Sequence, residues 1–131
     1  MQTHQFATTG TALEFGEIST TVTNSGGACN STRGLCAFGS GSSYYNTIEF
    51  ITLSTYGNSQ DFGDMSVANS HIGGGCCSPT RGLFMGGYTG SADVNNMEYV
   101  TIPTTGNTID FGDLIEASLN VYGCSTGHGG L

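Results

Sequence analysis

The sequence predicts an all-β protein made of about three four-stranded antiparallel sheets. Two observations carry this. A period of roughly 48 residues runs through the chain, and the composition is that of short strands joined by tight turns. Phe15, Phe62 and Phe111 sit in Glu14-Phe15-Gly16-Glu17, Asp61-Phe62-Gly63-Asp64 and Asp110-Phe111-Gly112-Asp113, at spacings of 47 and 49 residues. Thr32-Arg33-Gly34-Leu35 matches Thr80-Arg81-Gly82-Leu83, and Asn46-Thr47-Ile48-Glu49-Phe50-Ile51-Thr52 matches Asn95-Asn96-Met97-Glu98-Tyr99-Val100-Thr101. Three elements in one order at one period mark a supersecondary unit that stacks on copies of itself. The 131 residues hold 22 Gly and no Lys, and turn-forming and β-branched residues dominate.

The chain reads as one repeat domain, 1–131, that begins out of phase. Residues 1–18 supply the third and fourth strands of a unit, 19–65 and 66–114 are full units, and 115–131 begin another. In the second full unit, residues 71–77 are small and Gly-rich and predict an inner strand that packs closely. Ser78-Pro79-Thr80 predicts a turn, residues 82–88 an apolar strand and 89–94 a polar loop. Residues 97–102 alternate apolar and polar, as a half-buried strand does. Thr105-Gly106-Asn107 turns the chain, and residues 109–114 form the fourth strand. At the C-terminal end, 117–124 supply a first strand and 127–131 the start of a second.

These residues resemble the kelch repeat. That family has a Met-rich stretch leading to a His, a strand ending in paired Gly followed by Tyr, a further strand, and a Trp. Here stand Met65 and His71, then Arg81-Gly82-Leu83-Phe84-Met85-Gly86-Gly87-Tyr88, then Glu98-Tyr99-Val100, with Phe111 where the Trp would be. The first full unit departs further, with Gly39-Ser40 for the paired Gly and Asn24 near the His position. The Asp-Phe-Gly-Asp and Thr-Arg-Gly strings are also similar to degenerate propeller repeats of bacteriophage tail-fibre and other virion proteins. The resemblance implies kelch-like propeller blades. A closed propeller takes four to eight blades, so it also implies completion by oligomerisation, with strands from both chain ends combining. A monomeric β-prism, three sheets about a threefold axis, is the alternative architecture.

Composition bounds the function. Arg33 and Arg81 are the only Arg or Lys, and the formal net charge is −8. Nucleic acid and anionic membranes, which need clustered cations, are therefore not expected partners. No apolar run reaches membrane-spanning length. Residues 1–10 lack the charged start and apolar stretch of a signal peptide. Charged residues are 9% of the chain, so solubility rests on neutral polar residues, a surface suited to a virion or extracellular location.

No catalytic, cofactor or metal site is expected, and the protein is not expected to be an enzyme. Asp-Phe-Gly binds magnesium in kinases, but here it recurs with the period, once with Glu, and no phosphate loop accompanies it. The acid pairs Glu14/Glu17, Asp61/Asp64 and Asp110/Asp113 offer too few oxygens for calcium. His71 and His128 lie near Cys76, Cys77 and Cys124 in sequence, but adjacent cysteines point to opposite strand faces and lack zinc spacing. The five cysteines are an odd count for a disulfide framework and read as small buried thiols, with Cys29–Cys36 the one candidate pair across a hairpin. Gly73-Gly74-Gly75 has no following Lys or helix for a phosphate and reads as a crowded inner strand. Tyr44, Tyr45 and Tyr88 on polar loops could stack on sugar rings.

The expected function is a structural or adhesive component of a virus particle or extracellular appendage, with a carbohydrate-binding lectin as the alternative. Expected partners are further copies of the chain or other virion or appendage proteins, with surface glycans as a ligand class. Two structural expectations accompany this. Arg33 and Arg81 should share one role, pairing with backbone carbonyls or with Glu49 and Glu98. Phe15, Phe62 and Phe111 should all be buried between adjacent sheets.

Overall fold

A computed structural model describes residues 1–3 and 9–125. Among these residues the protein is all-β, with antiparallel sheets and no helix. The first full unit is a meander of β3 (Gly26–Cys29), β4 (Arg33–Ala37), β5 (Tyr45–Thr52) and β6 (Gln60–Asn69). The second repeats it as β7 (Gly73–Cys77), β8 (Arg81–Met85), β9 (Asn96–Thr101) and β10 (Ile109–Asp113). Ahead of both, β1 (Gln2–Thr3) pairs with β2 (Leu13–Glu14). The pairing Gln2↔Glu14 and Thr3↔Leu13 corresponds to Glu49↔Asp61 and Phe50↔Gln60 one period later. β1 and β2 are thus the outer half of a unit. The C-terminal strand start at residues 127–131 lies outside the described residues.

The repeated Thr-Arg-Gly strings follow one turn. In the first unit Asn30 Oδ1 accepts the Thr32 and Arg33 amides at 2.9 and 2.8 Å. In the second, Ser78 Oγ accepts the Thr80 and Arg81 amides at 3.3 and 2.9 Å. Short polar side chains that bond amides two and three residues on are suited to such turns. The turn starts β4 and β8 in the same register: Arg33 faces Thr52 and Arg81 faces Thr101.

Alternation along these strands gives each sheet two different faces. Arg33, Leu35 and Phe50 share one face of the first sheet, and Phe50 meets Phe62 edge-on, with centroids 6.0 Å apart. That face packs on the second sheet. Leu35, Phe50 and Phe62 form one core with Ile72, Phe84, Val100 and Ile102. Gly82 allows the approach, because a Cβ there would stand 2.8 Å from the Ala28 Cβ.

The inner edges are tied in series. Asn24, His71 and Asn120 share a left-handed backbone, at φ 56°, 55° and 54°. The His71 amide donates to the Asn24 carbonyl at 2.9 Å, and the Asn120 amide donates to the His71 carbonyl at 3.0 Å. Asn120 thereby opens a third inner segment, which bridges β7 in parallel at Tyr122 and Gly74. β7 holds one residue more than β3 before the paired positions Cys29 and Cys77, and its register slips between Gly73 and Cys76. A bulge of this kind absorbs a one-residue insertion without disturbing the rest of the sheet.

Two expectations are corrected. Phe15 and Phe62 are buried, at 9% and 2% exposure, but Phe111 is 53% exposed. Phe15 and Phe62 each have a following outer sheet against them, whereas among the described residues Phe111 has none. Glu49 and Glu98 are not the partners of the two arginines, for reasons found in their environment below.

Candidate functional site

The arginines do share one role, but an aromatic ring fills it. The Arg33 guanidinium lies over the Phe50 ring and that of Arg81 over the Tyr99 ring, each 4.5 Å from the centroid. These rings sit diagonally across the strand pair from the arginines, within reach of a long side chain. Arg33 also donates from Nη1 to the Ile102 carbonyl of the next sheet at 2.9 Å.

Glu49 and Glu98 are buried and held by other donors. Glu98 accepts the Ser66 amide at 3.2 Å, the Thr108 hydroxyl at 2.7 Å, the Asn96 amide group at 3.0 Å and the Ser66 hydroxyl. Burial alone would raise its pKa. The hydroxyls of Ser66 and Thr108, the Ser66 amide and Asn96 outweigh that and hold it below the usual glutamate range. Glu49 takes the Ser19 amide at 3.2 Å and the Ser59 hydroxyl one period earlier. Each glutamate thus anchors the segment that enters its unit.

The outer ends of the sheets meet in a repeated junction. At the first, the Gly57 amide donates to the Phe15 carbonyl and the Ser59 amide to the Glu17 carbonyl, both at 2.9 Å. Asn58 Oδ1 accepts the Glu17 amide at 3.0 Å. At the second, the Gly106 amide donates to the Phe62 carbonyl at 2.7 Å and the Thr108 amide to the Asp64 carbonyl at 2.9 Å. Asn107 Oδ1 accepts the Asp64 amide at 3.0 Å. A Cβ at Gly16 or Gly63 would collide with the carbonyl of Gly57 or Gly106. The Phe-Gly strings are therefore docking edges for the turn of the following unit.

Among the described residues the third such edge, Phe111-Gly112-Asp113, makes no such contact. A Cβ at Gly112 would meet only Met97 Cε, at 3.9 Å. The ring geometry is nonetheless in place, with Tyr99 and Phe111 edge-on at 6.2 Å and 79°, against 6.0 Å and 80° for Phe50 and Phe62. Arg81, Leu83, Tyr99 and Phe111 line a shallow groove of about 210 Å³ with Cys76 and Ser125 at its inner end. This open face is the candidate site, and what it can do is bind another sheet.

The remaining candidate residues lie apart from it or are structural. Among the described residues no group of three or more His, Cys, Asp or Glu could hold a metal ion. His128 lies outside the described residues. All five cysteines are free thiols but none is the buried residue expected, since Cys29 and Cys124 are exposed and Cys36, Cys76 and Cys77 are half-buried. Cys29 faces Gly34 while Cys36 faces Gly27, so the two do not sit opposite each other. Although Cys29 is exposed as a residue, partial desolvation of its thiol pushes it up, and the neighbouring Cys77 thiol adds to it. Burial likewise raises Cys76, with Cys124 and Cys77 contributing. Tyr45 turns edge-on to Phe38 at 6.4 Å, while Tyr44 and Tyr88 meet edge-on at 6.3 Å.

Sequence reasoning named the turn at Thr105-Gly106-Asn107 but missed its recurrence. Tyr56-Gly57-Asn58 and Thr9-Gly10-Thr11 stand at the same distance before their Phe-Gly strings, and that spacing was available in the sequence. No protein-family model matches the chain, and no curated protein is significantly similar to it.

Proposed function

We propose that this chain is a structural or adhesive component of a virus particle or extracellular appendage, and that its units are kelch-like propeller blades acting by assembly and surface binding. One observation carries the reading. The same outer junction is made twice within the chain, and its docking edge is presented a third time with Phe111 half exposed. Adjacent inner strands and stacked sheets suit blades about an axis, and they support this architecture over a closed three-sheet prism, whose faces would all be covered.

The surface fits such a role. A net charge of −8 with two cations and abundant Ser, Thr, Asn and Gly gives a polar coat without attraction for nucleic acid. The partners are then further copies of the chain or other virion or appendage proteins, with glycans as a ligand class. Immunogold labelling with antibody against the chain tests the reading. Gold on discrete particles or appendages is expected, and label confined to the cell interior would overturn it. A glycan array tests the lectin alternative, for which Tyr44, exposed beside Tyr88, is the ring to substitute.

A further inference from the structure

We propose that the open face is completed by a second copy of this chain, docked head to tail. This rests on the reading that the chain works by assembly, and it assigns the junction. The head is the turn at residues 9–12 with the β1–β2 pair. The tail is Phe111, Gly112 and Asp113 with Arg81, Leu83 and Tyr99 beside them.

The internal junctions fix the fit. Gly57 and Gly106, which donate at those junctions, have φ 155° and 156°, and Gly10 has φ 154°. The head turn therefore holds the donor conformation already. Gly10 stands five residues before Phe15, as Gly57 stands five before Phe62 and Gly106 five before Phe111. The tail is equally set. Gly112, at φ 137°, keeps the backbone that Gly63 adopts at 147°, where a side chain would be strained. Superposing the internal pattern gives the contacts. The Gly10 amide donates to the Phe111 carbonyl, the Ala12 amide to the Asp113 carbonyl, and the Thr11 side chain accepts the Asp113 amide in place of Asn58 and Asn107.

The half-units are also complementary. The C-terminal segment places an inner strand on β7, with the Cys77 amide donating to Ser125 Oγ at 3.2 Å and the Gly87 amide to the Ser118 carbonyl at 3.0 Å. Among the described residues nothing covers the outer part of the face, at Tyr99 and Phe111. β1 and β2 are an outer half. One unit thus forms from an inner strand of one copy and an outer pair of the next. Such a contact is heterologous, and it propagates as a ring or a filament.

The test is a mixing experiment followed by light scattering at micromolar concentration. Phe111→Asp blocks the tail and Thr11→Trp blocks the head. Both side chains are exposed within one copy, so each variant keeps the wild-type far-UV spectrum. Asp113→Arg, also exposed, serves as a second tail block. The wild type is expected to associate, and each blocked variant is expected to run as the 13.5 kDa chain. Mixing Phe111→Asp with Thr11→Trp restores one junction and gives a species of twice that mass. Association that survives both tail blocks, or a mixture that fails to pair, overturns the junction while leaving the assembly reading standing. A wild type that stays monomeric overturns both the second copy as occupant and assembly by this chain alone.

Discussion

Phe62 and Phe111 are the same residue of the repeat in two environments, so truncating each to Ala measures what the neighbouring sheet contributes. Phe62 is 2% exposed, stacks edge-on with Phe50 and belongs to the core shared by both units. Phe62→Ala should cost about 3–5 kcal/mol, the transfer energy plus a cavity that rigid sheets cannot close. Phe111 is 53% exposed and makes the same ring contact with Tyr99. Its truncation forfeits roughly half of a buried Phe, about 1 kcal/mol, plus about 0.5–1 kcal/mol for the ring pair. The gap of about 1–3.5 kcal/mol corresponds to roughly 4–14 °C in Tm for a domain of this size. Urea unfolding followed by far-UV circular dichroism at low protein concentration reads both, and Phe62→Leu keeps the comparison measurable if Phe62→Ala does not fold. As concentration rises and copies associate, the cost of Phe111→Ala should climb towards that of Phe62→Ala. Equal costs at high dilution would refute the picture of one covered and one open edge.

Arg33→Ala should cost about 1–3 kcal/mol, because it strips the Ile102 carbonyl of its donor as well as the stacked cation, whereas Arg81→Ala should cost only the exposed stack, about 0.5–1 kcal/mol; matching denaturation midpoints would contradict this. Glu98 has a lowered folded pKa, so the stability it contributes is present above the ordinary value of 4.5 and is lost as pH falls below it. An acid titration of Tm should therefore show a steeper loss below that value in the wild type than in Glu98→Gln. Gly63→Ala and Gly112→Ala share the backbone strain of positive φ, but only the first pushes a methyl into Gly106. It should be the more destabilising by about 1–3 kcal/mol, as read by thermal melts of dilute protein. Asn58→Ala and Asn107→Ala should each cost about 0.5–1.5 kcal/mol and their effects should add, since each removes one equivalent bond at a separate junction; strong coupling in the double variant would argue against independent junctions.

Much of the fold was legible because the repeat supplies its own alignment. The expected strands of the second unit, residues 97–102 and 109–114, lie within a residue or two of β9 and β10. Before Phe15 the chain pairs Gln2 with Glu14 as Glu49 pairs with Asp61 one period later. Three features were not legible. The charge pattern drew Arg33 and Arg81 towards Glu49 and Glu98, the acids nearest in register. Alternation places those acids on the opposite face of the sheet, where Ser and Thr hydroxyls at equivalent positions hold them, and the aromatic diagonal was the better partner. The exposure of Phe111 was invisible because a repeat shows that a docking edge exists without showing whether anything is docked on it. The extra residue of β7 was visible only as 48 against 47 in the spacings, and a spacing does not say which strand bulges.

The candidate site is for the same reason a by-product of the repeat. A unit of this kind has one face that resembles a core and one edge that donates and accepts backbone hydrogen bonds, and neither is satisfied within its own sheet. Stacking satisfies them one neighbour at a time, so stability grows with each junction and the last unit always carries an unpaid face. The second four-stranded sheet keeps Leu83, Tyr99 and Phe111 where the first has Leu35, Phe50 and Phe62, and it keeps an arginine stacked at the same 4.5 Å. Apolar residues on an uncovered face cost solubility, and the exposed stack on that face contributes only about 0.5–1 kcal/mol within one copy. The same residues at a junction cost nothing and contribute as they do between the first two sheets. Asp110 and Asp113 stand on either side of Phe111, so this edge has acids at its rim and an apolar ring at its centre, an arrangement that suits the proposed junction.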